Sequence, residues 1–91
     1  MLGPAIDRAV GLMHLWEGDG AAARPLLERA LAEFERLSNP FEAARTREHL
    51  ASALPAKERV LMLEAALQQY ERLGATPSVQ RVRSAAVASR T

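Results

Sequence analysis

The sequence predicts an all-α fold, and three observations support this: the composition, the spacing of the apolar residues and an internal repeat. Hydrophobic residues make up 48% of the 91-residue chain, and Ala and Leu supply most of them. Aromatic and β-branched residues, which favour strands, are few. This balance favours packed helices over a sheet. The length fits a single domain over residues 1–91.

The internal repeat is the strongest signal in the chain. Segment 26–37, LLERALAEFERL, recurs 36 residues later as segment 62–73, MLEAALQQYERL. In each copy the apolar residues follow the helical spacing i, i+3, i+4 and i+7. Prolines keep nearly the same step, at Pro4, Pro40 and Pro77. A period of this length is typical of stacked helical units.

Turn formers and prolines divide the chain into five predicted helices. Helix one covers about 4–17, between Pro4 and the Gly18-Asp19-Gly20 turn, and helix two covers about 20–37, before Ser38-Asn39. Helix three covers about 40–54, from Pro40 to the residue before Pro55. Helix four follows over 56–73 and ends at Gly74, and helix five covers 77–89.

The first unit resembles the tetratricopeptide repeat, a pair of antiparallel helices with small residues where they cross. The matching residues are Gly11, Gly18, Asp19, Ala23, Leu27 and Ala30. Gly11 makes physical sense there, because a missing side chain lets two helices approach closely. The second unit departs from the pattern, with Arg47 in the place of Gly11, Arg59 in the place of Ala23, and Leu54-Pro55 in the place of Gly18-Asp19.

The resemblance implies a right-handed stack of antiparallel helical hairpins. Repeat one spans about 4–39, repeat two about 40–76, and a C-terminal capping helix about 77–89. It also implies a non-enzymatic protein–protein interaction module or scaffold. Units that end in Glu-Arg-Leu-Ser or Glu-Arg-Leu-Gly resemble, in particular, the arrays of large bacterial transcription regulators. A bacterial source also fits the arginine-rich composition, in which Lys57 is the sole lysine.

The residue types argue against catalysis and against cofactor or metal binding. Cysteine is absent, so thiolate nucleophiles and Cys-based metal sites are excluded. His14 and His49 each lie far in sequence from an obvious cluster of acidic partners, and no nucleophile–base pair or phosphate-binding glycine motif is present. We therefore expect no catalytic residues, no cofactor and no metal.

The charge and hydropathy patterns narrow the expected partners and location. The formal net charge is +1, and glutamates occupy the exposed positions of helices two and four, so this chain alone is not expected to bind nucleic acid. No apolar run approaches the roughly 18 residues of a membrane span, and no signal-peptide pattern opens the chain. We expect a soluble, cytoplasmic protein without a membrane contact.

The first helix of each hairpin lines a concave groove in the resembled family, and this places the partner-binding residues. The expected set is Arg8, Leu12, Leu15, Trp16, Phe41, Arg45, Glu48 and Arg81. On helix one, Ile6, Ala9, Val10 and Met13 form the expected inward stripe, which leaves Leu12, Leu15 and Trp16 for a second apolar face. The alternative is that helix one packs fully inside the domain.

Arginines at similar places in three successive units allow two interpretations. Arg8, Arg45 and Arg81 form either a basic ladder for an acidic peptide, or ion pairs with Asp7, Glu42 and Glu48. The partner is expected to be a protein or peptide bound in the groove. A self-associating, homodimeric module and a fragment of a larger bacterial transcription or signalling regulator remain the alternatives.

Overall fold

Five α-helices form the structure, a computed structural model that describes residues 3–90. They are α1 (Pro4–Trp16), α2 (Gly20–Arg36), α3 (Pro40–Ala51), α4 (Ala56–Leu73) and α5 (Thr76–Arg90). The all-α prediction is confirmed, and four of the five helices begin and end within one residue of their predicted limits. Only α3 ends early, at Ala51, because residues 52–54 form a turn before Pro55.

Local sequence signals explain where the helices begin. Pro4 and Pro40 occupy the first helical positions of α1 and α3, where a missing N–H costs nothing. The side chain of Asp19 accepts a hydrogen bond from the Ala22 amide at 3.0 Å and caps α2. Helix α2 continues through Pro25 without a break.

The two repeats end with the same backbone geometry. After α2, the amide of Asn39 donates to the carbonyl of Phe34, and after α4 the amide of Ala75 donates to the carbonyl of Tyr70, both at 3.0 Å. A residue with positive φ makes this cap possible: Gly74 at 69° in the second repeat and Ser38 at 54° in the first. The sequence repeat is therefore also a repeat of helix ends.

Each helix packs mainly against its neighbours along the chain. Connections of two to four residues between helices make successive helices antiparallel, so the fold is a stack of helical hairpins. The larger core cluster joins α3, α4 and α5 and consists of Ala44, Ala51, Leu63, Ala66, Tyr70, Val82 and Ala86. Two smaller clusters join α2 to α3 and complete one continuous core.

The first hairpin closes on small residues. Leu27 is fully buried, and a Cβ placed on Gly11 would lie 2.9 Å from its Cγ and Cδ2 atoms. The predicted close approach of two helices at Gly11 is confirmed. Beside it, buried Asp7 accepts two hydrogen bonds from Arg29, at 3.1 and 3.2 Å. This pair fixes which side of α1 faces α2.

That orientation of α1 contradicts the expected inward stripe. Ile6 is 48% exposed and Met13 is 56% exposed, whereas Asp7 and Gly11 are buried. Because glycine carries no side chain and Asp7 has a cationic partner on α2, these two residues take the inward positions. The expected inward stripe therefore lies largely on the outside of α1.

Candidate partner-binding site

A half-buried carboxylate on α3, that of Glu48, ties three helices together beneath the candidate site. The hydroxyl of Tyr70, on α4, donates to Glu48 Oε1 at 2.6 Å. Arg81, on α5, donates to both carboxylate oxygens of Glu48, at 3.0 and 2.6 Å. A bidentate pair of this kind fixes direction as well as distance. Glu48 therefore holds α4 and α5 in register against α3.

The protonation states within this network reinforce one another. Burial opposes ionisation of Glu48, but hydrogen bonds from Arg81 and Tyr70 outweigh it and keep its pKa below the ordinary value. Burial and the hydrogen bond to Glu48 raise the pKa of the Tyr70 hydroxyl. At neutral pH the carboxylate is charged and the phenol is neutral, so the phenol is a donor.

An open hollow lies above this network. It is lined by Phe41, Arg45, Glu48, His49, Ser78 and Arg81, and we call it the α3–α5 hollow. The exposed ring of Phe41 meets the ring of Tyr70 edge-on, with centroids 5.7 Å apart. The guanidinium carbon of Arg81 lies over the ring of Tyr70, 6.0 Å from its centroid. The hollow thus combines an apolar edge with cationic groups.

Arg45 is the cation of the hollow that is least engaged by the protein itself. Its guanidinium reaches Glu42 Oε1 at 3.5 Å and forms no hydrogen bond with another residue of the range 3–90. The same oxygen already accepts a stronger hydrogen bond from Arg8 at 2.8 Å. The Arg45 side chain, about half exposed, therefore keeps donors for a partner.

His49 contributes a neutral polar group to the hollow. Burial lowers the pKa of its imidazole, the charge of Glu48 opposes this, and the guanidinium groups of Arg8, Arg45 and Arg81 each add a smaller lowering effect. At neutral pH this ring can both donate and accept one hydrogen bond. It can therefore contact a partner without adding charge.

Two of the three arginines of the expected basic ladder, Arg8 and Arg81, form ion pairs within the protein. Arg8 bonds to Glu42 and to Thr46 Oγ1, and its guanidinium carbon lies 5.0 Å from the Phe34 ring centroid. Arg81 pairs with Glu48, as described above. The ion-pair interpretation is confirmed for the two glutamates, while for Asp7 it is wrong, because Asp7 pairs with Arg29.

The structure separates the expected binding residues into two groups. Phe41, Arg45, Glu48 and Arg81 line one hollow, and Arg8 adjoins it through Glu42. The three apolar residues of α1 lie elsewhere. Leu15 packs against the α2–α3 core, Leu12 is half-buried, and Trp16 is 83% exposed at the end of its helix.

Sequence reasoning missed three members of the site, namely Tyr70, His49 and Ser78. For Tyr70 a signal exists in the repeat, because it stands where the first unit has Phe34. A buried tyrosine needs a partner for its hydroxyl, and a phenylalanine does not. The change from Phe34 in the first unit to Tyr70 in the second therefore indicates a polar group on the facing helix.

No helix among residues 3–90 has the length and apolar character needed to cross a membrane. The same residues contain no group of three or more histidine and acidic side chains placed to hold a metal ion. Models of known protein families, curated protein sequences and solved structures gave no match to this chain. Fold and site define an all-α stack of helical hairpins with a polar, aromatic-edged hollow.

Proposed function

We propose that the chain is a non-enzymatic binding module that takes an acidic segment of a partner protein into the α3–α5 hollow. The observation that carries this proposal is that two exposed residues of different chemistry, Phe41 and Arg45, line the same hollow. An exposed aromatic ring offers an apolar contact, and a guanidinium with spare donors offers a charge-assisted hydrogen bond. The tetratricopeptide-like pattern of the first unit supports the same kind of role.

The charges around the hollow favour an anionic partner. Three guanidinium groups, on Arg8, Arg45 and Arg81, face two carboxylates, on Glu42 and Glu48. The surplus is one positive charge, and it resides on the exposed Arg45 side chain. A cationic peptide would meet this charge without compensation, so the hollow discriminates by repulsion as well as by attraction.

The internal network makes the hollow a preformed surface. Glu48 already has both oxygens satisfied by Tyr70 and Arg81, so a partner does not have to desolvate an unpaired carboxylate. A surface fixed in this way loses little entropy on binding. A short acidic peptide is therefore the simplest probe of the site.

The test is an NMR titration of the ¹⁵N-labelled chain with two matched synthetic peptides. In one peptide leucine alternates with glutamate, and in the other lysine replaces every glutamate. We expect the acidic peptide to shift the amide signals of Phe41, Arg45 and Ser78, and the basic peptide to leave them in place. Arg45→Ala should weaken the acidic peptide about fivefold, which is about 1 kcal/mol for a partly exposed charged hydrogen bond.

Arg83→Ala is the matched control, because Arg83 is an exposed arginine of α5 that pairs with Glu71 outside the hollow. It removes the same charge and should leave the affinity unchanged. Equal weakening by the two substitutions, or equal binding of the two peptides, would contradict the proposal. Shifts spread evenly over all five helices would do the same.

A further inference from the structure

The start of α5 lacks a cap that α2 and α3 both have. In α2 and α3 the side chain before the helix accepts a hydrogen bond from the amide of the third helical residue. In α3 these two residues are Asn39 and Glu42, and a step of 36 residues carries them to Ala75 and Ser78 on α5. Alanine has no side-chain acceptor, and the amide of Ser78 forms no hydrogen bond with any of residues 3–90.

Ser78 also carries a hydroxyl without a partner. The residue is 8% exposed and lines the α3–α5 hollow. Its hydroxyl forms no hydrogen bond within residues 3–90, although the oxygen keeps access to solvent. The solvent space beside Ser78 is the hollow itself. Since buried polar groups are normally hydrogen-bonded, this hydroxyl and the amide behind it indicate an acceptor supplied from outside.

The contact between α1 and α3 shows what kind of group is missing. There the carboxylate of Glu42 accepts a hydrogen bond from Arg8 at 2.8 Å. In the corresponding contact between α3 and α5, Ser78 takes the place of Glu42, and Arg45 lies one residue beyond the counterpart of Arg8. The second contact therefore keeps a cation but has a serine where the first has its anion.

The donors around this gap suit a phosphate better than a carboxylate. They belong to the Arg45 guanidinium, the His49 ring, and the amide and hydroxyl of Ser78. A carboxylate offers two oxygens and one charge, whereas a phosphate monoester offers three oxygens and about two charges. The N-terminus of α5 adds a partial positive charge, which favours phosphate. Glu48, which also lines the hollow, is neutralised by Arg81.

We propose that the partner segment carries a phosphorylated side chain, whose phosphate binds in the α3–α5 hollow between Arg45 and the start of α5 at Ser78. One phosphate oxygen caps the Ser78 amide as Asn39 caps that of Glu42, and another pairs with Arg45. This inference rests on the proposed function and adds a means of regulation to it. Phosphorylation of the partner would convert a neutral hydroxyl into the anion that the hollow lacks.

The test measures the fluorescence anisotropy of three labelled peptides in phosphate-free buffer. All three share the alternating leucine–glutamate sequence, and the central residue is phosphoserine, glutamate or serine. The unmodified chain should bind the phosphoserine peptide about tenfold more tightly than the glutamate peptide, which corresponds to about 1.4 kcal/mol. The serine peptide should bind most weakly, because its central residue brings no charge.

Two substitutions that remove no charge locate the phosphate. Ser78→Ala should reduce the preference for phosphoserine over glutamate to less than about twofold. Ser84→Ala is the control, because Ser84 is an exposed serine of α5 outside the hollow, and it should retain the full preference.

A third substitution separates binding from folding. Serine is a preferred capping residue, so the new hydroxyl of Ala75→Ser should accept the hydrogen bond of the Ser78 amide. The phosphoserine peptide should then bind several-fold more weakly, while the midpoint of thermal unfolding rises. Loss of the fold cannot explain weaker binding by a more stable chain.

The outcomes distinguish this inference from the proposed function. Equal binding of the phosphoserine and glutamate peptides would overturn the phosphate site and leave the acidic-peptide site standing. A preference that persists in Ser78→Ala would do the same. Inorganic phosphate that binds alone as tightly as the phosphoserine peptide would assign the hollow to a free anion and overturn the inference. Failure of all three peptides to bind would contradict the proposed function itself.

Discussion

The two hairpins repeat one sequence pattern but close in different ways. In the first, Gly11 lies directly against Leu27, and small residues let α1 and α2 come together. In the second, Arg47 takes the place of Gly11 and turns aside to bond with Gln69 at 2.5 Å and Glu35 at 2.9 Å. The same position is therefore a close helix contact in one repeat and a long polar side chain in the other, where α3 and α4 still pack through Ala44, Leu63 and Ala66.

In these two repeats, the neighbours of a position determine its structural role more than its residue type does. Arg59 stands where the first unit has Ala23, and its Nη2 donates to the carbonyl of Leu54 at 3.1 Å. Its Nε is buried without a hydrogen-bond partner among residues 3–90, which is a cost that an alanine does not carry. The second hairpin therefore keeps the helix arrangement of the first, although its interior contains this unsatisfied polar atom.

The largest expected effect comes from truncating the packed leucine of the first hairpin. Leu27→Ala should lower the free energy of unfolding by about 2–5 kcal/mol, towards the upper end, because neither Gly11 nor Ala23 can fill the space. Leu63→Ala, at the equivalent position, should cost less, since flexible Met62 lies beside the cavity. Urea unfolding of both variants measures the difference. Equal costs would remove the distinction between the hairpins.

A smaller effect is expected from adding one methyl group at the crossing of α1 and α2. Gly11→Ala gains about 1 kcal/mol of helix propensity but forces the buried Leu27 to move, at about 1–3 kcal/mol. The net result should be a free energy of unfolding that is lower by about 1 kcal/mol, as measured by thermal unfolding. Gly20→Ala is the control, because its Cβ would meet Ala53 at an ordinary 3.7 Å. If both variants were equally stable, the closeness of the first hairpin would not matter.

The smallest expected effect is on the pH dependence of stability, through two titratable residues of the second hairpin. The pKa values of Glu48 and His49 are both lowered in the native state, so between the native and unfolded pKa values the unfolded chain binds more protons. The free energy of unfolding should therefore decrease in two steps as the pH is lowered. The first step starts below about pH 6.5 for His49, and the second starts below about pH 4.5 for Glu48. His49→Asn should remove the upper step. Glu48→Gln should reduce the lower step, to which the more exposed Glu33 of α2 adds a smaller part because Arg36 lowers its pKa. Urea unfolding at several pH values follows both steps.

A matched variant in the first hairpin controls this experiment. Glu28→Gln removes a carboxylate that lies at the surface of α2 and whose one ion pair within residues 3–90 is with Arg24, at 3.5 Å. Exposed pairs of this kind contribute little to stability, so both steps should remain. An acid profile unchanged by Glu48→Gln would show that the carboxylate does not stabilise the second hairpin.

Much of the fold follows from local chemistry, and therefore could be predicted. The 36-residue repeat, the prolines and the turn formers each act within a few residues, and they set four helices almost to the residue. Gly11 was informative because only one residue type tolerates so close a helix contact. The early end of α3 follows from Pro55 acting on the residues before it.

The site and the orientation of α1 depend on distant pairs, which no local pattern reveals. Glu48 finds Tyr70 and Arg81, 22 and 33 residues away, only after α3, α4 and α5 have packed. On α1, apolar residues occur on all sides, so the apolar pattern alone does not define the buried side. The ion pair between Asp7 and Arg29 determines which side of α1 is buried. From the sequence alone, a carboxylate near the start of a helix is expected at the surface.

The neighbour-to-neighbour packing of the helices has a consequence for folding speed. Because each helix mainly contacts the next along the chain, few native contacts have to close long loops. Chains of this kind fold quickly for their length and can begin from any adjacent pair of helices. Amide hydrogen exchange should then be slowest in the central helices and faster towards α1 and α5, each of which is covered on one side only.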